Sequence, residues 1–112
     1  MIKTADAAFL ADMTRAIVAA VRPTQIVVFG SHARSAATAD SDVDLLVVEA
    51  EPFGPARSRR AELRRIRRAL SPFRVPKDVL VYSRDEVERW KGSSNHVIRT
   101  ALREGRVLYS DE

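Results

Sequence analysis

Cysteine is absent from the 112 residues. The chain therefore has no thiol nucleophile, no thiolate metal ligand and no disulfide staple. Histidine occurs only as His32 and His96, far apart and with no spaced carboxylate pattern, which sets a zinc site aside. No apolar run approaches the roughly 20 residues of a membrane span. The start, Met1-Ile2-Lys3-Thr4-Ala5-Asp6, lacks the basic opening and apolar stretch of a secretory signal. Two catalytic signatures are missing as well: no Gly-x-Ser-x-Gly elbow is present, and no lysine follows a glycine-rich loop in the Walker manner. What remains is a soluble, cytoplasmic chain with no membrane association. Its length fits one domain spanning residues 1–112, large enough to bury a modest core.

The charge is uneven. The net charge is +4, yet the segment from Arg57 to Arg74 holds eight arginines against one acid, Glu62. That segment carries +7 and the rest of the chain sums to −3. One basic helix on a mildly acidic body calls for a local explanation: a solvated face, a docking surface for an acidic partner, or contacts to phosphates. No aromatics are interleaved among the arginines to stack bases, which argues against nucleic acid.

Periodicity orders the chain as helices alternating with short strands. Phe9, Met13, Ile17 and Ala20 mark an amphipathic helix over 5–21, closed by Arg22-Pro23. Gln25 to Phe29 is a β-branched run that predicts a buried strand ending at Gly30. Residues 31–37 read as one or two helical turns and 38–41 as a loop. Strands follow over 43–48 and 78–82, separated by a helix over about 56–70 that Ser71-Pro72 stops. Ser83-Arg84-Asp85-Glu86 has capping-box spacing and predicts a helix carrying Val87 and Trp90. A last helix over about 95–104 leads into a possible edge strand at Val107-Leu108-Tyr109. This order points to an α/β (α+β) domain, a mixed sheet with helices packed on it.

The chemistry is concentrated in Phe29-Gly30-Ser31-His32-Ala33-Arg34 and Asp40-Ser41-Asp42-Val43-Asp44-Leu45. Asp42 and Asp44 lie two residues apart at a strand entrance, so their side chains leave the same face. Two carboxylates so placed repel each other unless a cation sits between them, and hard oxygen ligands suit Mg²⁺ or Mn²⁺. Gly30-Ser31, where a strand opens into a helix, would offer free backbone N–H groups to a phosphate, with Arg34 one turn on. Asp78, at the entrance of the third strand, supplies the third acid that two metal ions require. In such a site one ion steadies the pyrophosphate leaving group and the other activates an acceptor hydroxyl. His32 is read as a variable, solvent-exposed position and His96 as structural.

Gly30-Ser31, ten intervening residues and Asp42-Val43-Asp44 together resemble the signature of the polymerase-beta-like nucleotidyltransferase superfamily. Gly-Ser-His-Ala-Arg with Ser-Asp-Val-Asp-Leu-Leu-Val is similar, more narrowly, to the minimal nucleotidyltransferases, over nearly the whole chain. The resemblance implies ATP as donor and magnesium, two ions, as cofactor. It implies nucleotide binding at Gly30, Ser31, Arg34 and Ser41, and metal binding and catalysis at Asp42, Asp44 and Asp78. It further implies an antitoxin that attaches AMP to a tyrosine of a HEPN-domain ribonuclease toxin, in a hetero-oligomer with it. The family often has glycine where this chain has Ser35. Two other functions stay open: transfer to a small hydroxyl compound of the aminoglycoside type, and a non-catalytic module that neutralises a partner by occupancy.

Overall fold

The computed structural model describes residues 7–33, 42–93 and 96–111. Its strands are β1 (Gln25–Phe29), β2 (Val43–Glu49), β3 (Lys77–Ser83) and β4 (Arg106–Ser110). Its helices are α1 (Ala7–Val21), α2 (Arg59–Leu70), α3 (Arg84–Trp90) and α4 (Val97–Glu104). The sheet order is β3-β2-β1-β4. β1 runs antiparallel to both β2 and β4, whereas β2 and β3 are parallel. The sheet is therefore mixed, as the alternating elements predict, and β4 is an edge strand. The parallel pair follows from the β2-α2-β3 crossover, in which the helix carries the chain back to the starting end of the sheet.

Alternation along the strands divides the core in two. Ile26 and Val28, Val43, Leu45 and Val47, and Val79 and Val81 face α1 and α2, where Leu10, Met13, Ile17, Ile66 and Leu70 close the larger core. Val27, Leu46 and Val48 face the other way, against Val87 of α3 and Ile98 and Ala101 of α4. Both faces of β2 are covered, which is why it reads as a continuous apolar run once past its acids. Gly105 permits the close seating of α4: a Cβ there would stand 2.2 Å from the Ala101 carbonyl oxygen and 2.4 Å from Val27 Cγ1.

The helix ends follow local chemistry. α1 is closed by Arg22, in the left-handed region at φ 50°, whose N–H donates to the Val18 carbonyl at 3.1 Å; Pro23 then follows. α2 starts at Arg59, three residues later than the arginine run suggests, because Ser58 caps it by accepting from the Ala61 N–H. α3 has the full capping box: Ser83 Oγ accepts from Glu86 N–H at 3.2 Å, and Glu86 accepts from Ser83 N–H at 2.9 Å. His96 caps α4, its Nδ1 accepting from Ile98 N–H, and its ring stacks on Trp90 at 4.8 Å. The structural role expected for His96 holds.

Three of the eight arginines belong to the fold. Arg57 joins Glu49, Glu51 and Glu62, and Arg65 reaches Glu62 at 3.5 Å. Arg59 pairs with Glu86, donates to the Val81 carbonyl at 2.8 Å and lies over the rings of Phe53 and Tyr82. It thereby covers part of the free edge of β3.

Candidate active site

The acids meet at one end of the sheet. The parallel register sets Asp44 opposite Asp78, and the antiparallel register sets Phe29 opposite Asp44. Phe29, Asp44 and Asp78 therefore form a row across three strands, with Gly30 next after Phe29. Asp42 and Asp44 share parity with Leu46 and Val48, and Asp78 shares parity with Leu80 and Tyr82. The carboxylates of Asp44 and Asp78 thus leave the sheet on the face that α3 and α4 cover further along, and Asp42, just before β2, is close enough to act on Asp44. The β2 entrance is pinned by the Val43 N–H, which donates to the Pro76 carbonyl at 2.8 Å.

Gly30 is the tightest point of this site. Its φ is +73°, a conformation that glycine adopts without a steric penalty. A Cβ added to it would fall 2.3 Å from Asp44 Oδ2. The carboxylate of Asp44 thus lies against the Gly30 backbone, in the space a side chain would fill. Of the helical turns expected after Gly30, the described residues show a three-residue 3₁₀ turn, Gly30–His32, closed by the Ala33 N–H donating to the Gly30 carbonyl at 3.2 Å. Within the described residues, the backbone at Gly30 and Ser31 is shaped by this turn and by the positive φ of Gly30 rather than by a helix end. Residues 34–37 of the expected helical turns, with Arg34 and Ser41, lie outside the described residues.

His32 departs from expectation. It is 6% exposed, not a solvent-facing residue, and it lies close enough to Asp44 to act on its carboxyl. Nothing in the local sequence reveals on which side of so short a turn the ring falls.

The neighbouring acids act on Asp44. The carboxyl of Asp44 is raised above its ordinary range, first by burial, then by repulsion from Asp78 and Asp42, while His32 partly offsets this. Among the described residues no lysine or arginine forms an ion pair with any of the three. The nearest cation in sequence, Lys77, is turned to the Phe73 and Val75 carbonyls at 2.8 and 3.2 Å. Nor, among the described residues, do three or more such ligands form a ready-made metal cluster. The donor set nevertheless fits a hard divalent cation. Magnesium is commonly held by one or two carboxylates with the remaining ligands from substrate phosphates and water, and a carboxylate row beside an open backbone turn offers that arrangement.

Comparison with known proteins identifies the family. Residues 14–108 match the nucleotidyltransferase domain family, and the chain belongs to that family. Its mixed four-stranded α+β fold is that of a nucleotidyltransferase domain. No curated protein gives a significant match. Among solved structures, a putative nucleotidyltransferase from Sulfolobus solfataricus superposes with a TM-score of 0.62 at 16% identity, over 94% of this chain and 80% of that one. A toxin–antitoxin with AMP-PNP gives a TM-score of 0.54 at 17% identity, covering 91% and 74%. A mutant of the toxin–antitoxin MntA-HpeT gives 0.51 at 15% identity, covering 96% and 75%.

Proposed function

We propose that this nucleotidyltransferase transfers AMP from ATP to a hydroxyl of a partner protein, a tyrosine of a HEPN-type ribonuclease toxin, and so acts as an antitoxin in the cytoplasm. The observation that carries the chemistry is the row Phe29–Asp44–Asp78, with Gly30 packed against the Asp44 carboxylate. A phosphate able to approach the Gly30 and Ser31 backbone is thereby brought beside the acids. Asp42, Asp44 and Asp78 would hold two magnesium ions, which supply charge neutralisation of the triphosphate and activation of the acceptor hydroxyl. Asp42 and Asp44 would contribute ligands to both ions. Asp78, on the outermost strand, faces the acceptor and takes its proton. Arg34 and Ser41 complete the nucleotide contacts. Pyrophosphate leaves as the acceptor oxygen bonds to the α-phosphorus, in line with the bond that breaks.

The toxin–antitoxin complexes among the structural neighbours support a toxin as partner, and AMP-PNP in one of them supports an adenine nucleotide as donor. The test is incubation with Mg²⁺ and ATP labelled at the α- or γ-phosphate, in lysate of the native host, followed by mass spectrometry of the labelled band. The expected product carries α-label as AMP on a tyrosine. Label from the γ-phosphate instead would refute nucleotidyl transfer, and α-label confined to small molecules would refute the protein acceptor.

A further inference from the structure

We propose that the exposed arginines of α2 form a docking ridge for an acidic helix of the acceptor protein, one that carries carboxylates at positions i, i+4 and i+8; this rests on the proposed function above. With Arg57, Arg59 and Arg65 assigned to the fold, the remainder of the basic segment is Arg60, Arg64, Arg67, Arg68 and Arg74. All five are exposed, and among the described residues none of their side chains forms an ion pair or hydrogen bond. At 100° per residue, Arg60, Arg64, Arg67 and Arg68 fall in one stripe about 100° wide, away from the core face of Leu63, Ile66 and Leu70. Like charges at i and i+4, as in Arg60/Arg64 and Arg64/Arg68, destabilise a helix. The isolated fold does nothing to relieve that repulsion, and an anionic partner would.

The geometry selects the partner. Arg60, Arg64 and Arg68 recur every ~6 Å along α2, the same rise that separates carboxylates at i, i+4 and i+8 of another helix. The ridge is short, about 12 Å from Arg60 to Arg68, and holds no aromatic residue on which a base could stack. At its far end α2 returns the chain through Arg74 to Asp78, so the ridge leads to the sheet end where the acids stand. A protein helix ends within the ridge, and its neighbouring segment can bring a hydroxyl to the acids round the free edge of β3.

The probe is a synthetic helical peptide with glutamates at i, i+4 and i+8. Its controls are a peptide of the same composition with the glutamates scrambled, and an RNA duplex, all measured by fluorescence anisotropy at two salt concentrations. The striped peptide is expected to bind at least fivefold tighter than the scrambled one and tighter than the duplex. Binding should fall at least tenfold in the variant R60A/R64A/R67A/R68A and weaken with salt. Equal binding of the scrambled peptide, tighter binding of the duplex, or unchanged binding by the variant would each overturn the proposal. A circular dichroism melt confirms that the variant folds, since it removes repulsion and no core contact.

A second readout separates this proposal from the proposed function. In α-label transfer to the acceptor, the ridge variant should need at least tenfold more acceptor for half-maximal rate, while its rate at saturation and its ATP dependence stay unchanged. A variant with an unchanged acceptor requirement refutes the ridge and leaves the transferase reading intact. Loss of transfer by wild type refutes that reading and leaves peptide binding to stand or fall alone.

Discussion

Substituting Gly30 by alanine separates the stability of this fold from the geometry of its site. An L-residue at φ +73° costs roughly 1–2 kcal/mol. The added Cβ would also sit 2.3 Å from Asp44 Oδ2, which must retreat by about 1 Å to reach ordinary contact. Oδ2 is the tip of a side chain beside open space, so the retreat is a rotation of the carboxylate rather than a rearrangement of β2. The stability loss should therefore stay near the backbone term, a fall in Tm on the order of 4–10 °C for a chain of this size. Activity should suffer more, because displacing a catalytic group by ~1 Å can cost about 100-fold in rate. The assay pairs a thermal melt with the initial rate of α-label transfer, taken well below the variant's Tm. A variant within threefold of wild-type rate, yet destabilised as expected, would show that the position of Asp44 against Gly30 is immaterial, and the reasoning would fail.

Two further predictions concern the fold. Glu49, 3% exposed at the far end of β2, has its carboxyl pushed up to about 8 by burial and by Glu62 beside it, against the opposing pull of Arg57; among the described residues its Oε2 has no hydrogen-bond partner. Because the folded value lies above the ordinary 4.5, the folded state binds the extra proton, and stability present below about pH 4.5 is lost as pH rises toward 8. Urea unfolding at pH 5, 6.5 and 8 should show this decline, with a slope of up to about 1.4 kcal/mol per pH unit, and Glu49→Gln should flatten it; a wild-type stability that rises over this range contradicts the assignment. Ser83→Ala removes the capping box of α3 and should cost about 1 kcal/mol by the same method, with Ser83→Asp recovering part of it; no loss in Ser83→Ala would mean that the cap contributes nothing.

The elements were legible in the sequence where local chemistry decides them. β1 and β2 announce themselves as β-branched runs, and the Ser83–Glu86 spacing alone foretells both bonds of the capping box. The shared face of Asp42 and Asp44 follows from the period of two along any strand. Other features depend on which strands meet, and no local pattern encodes that. Asp78 stands beside Asp44 because β2 and β3 pair in parallel at one particular register, and a slip of one residue would turn Asp78 to the opposite face. The antiparallel pairing of β1 with β2 is equally non-local. The buried place of His32 depends on how the turn after Gly30 packs against Asp44. The basic segment looked uniform in sequence; the acids that divide it, Glu49, Glu62 and Glu86, come from three different elements.

The central claim is that the carboxylate row performs nucleotidyl transfer. Its most direct test is transfer of α-label from ATP with Mg²⁺ by wild type and by Asp44→Asn, a substitution that keeps the shape of the side chain and removes its charge. The account predicts that the variant folds with undiminished stability, since it relieves the repulsion from Asp42 and Asp78, and that it transfers no label. A stable Asp44→Asn protein that transfers label at the wild-type rate would contradict it.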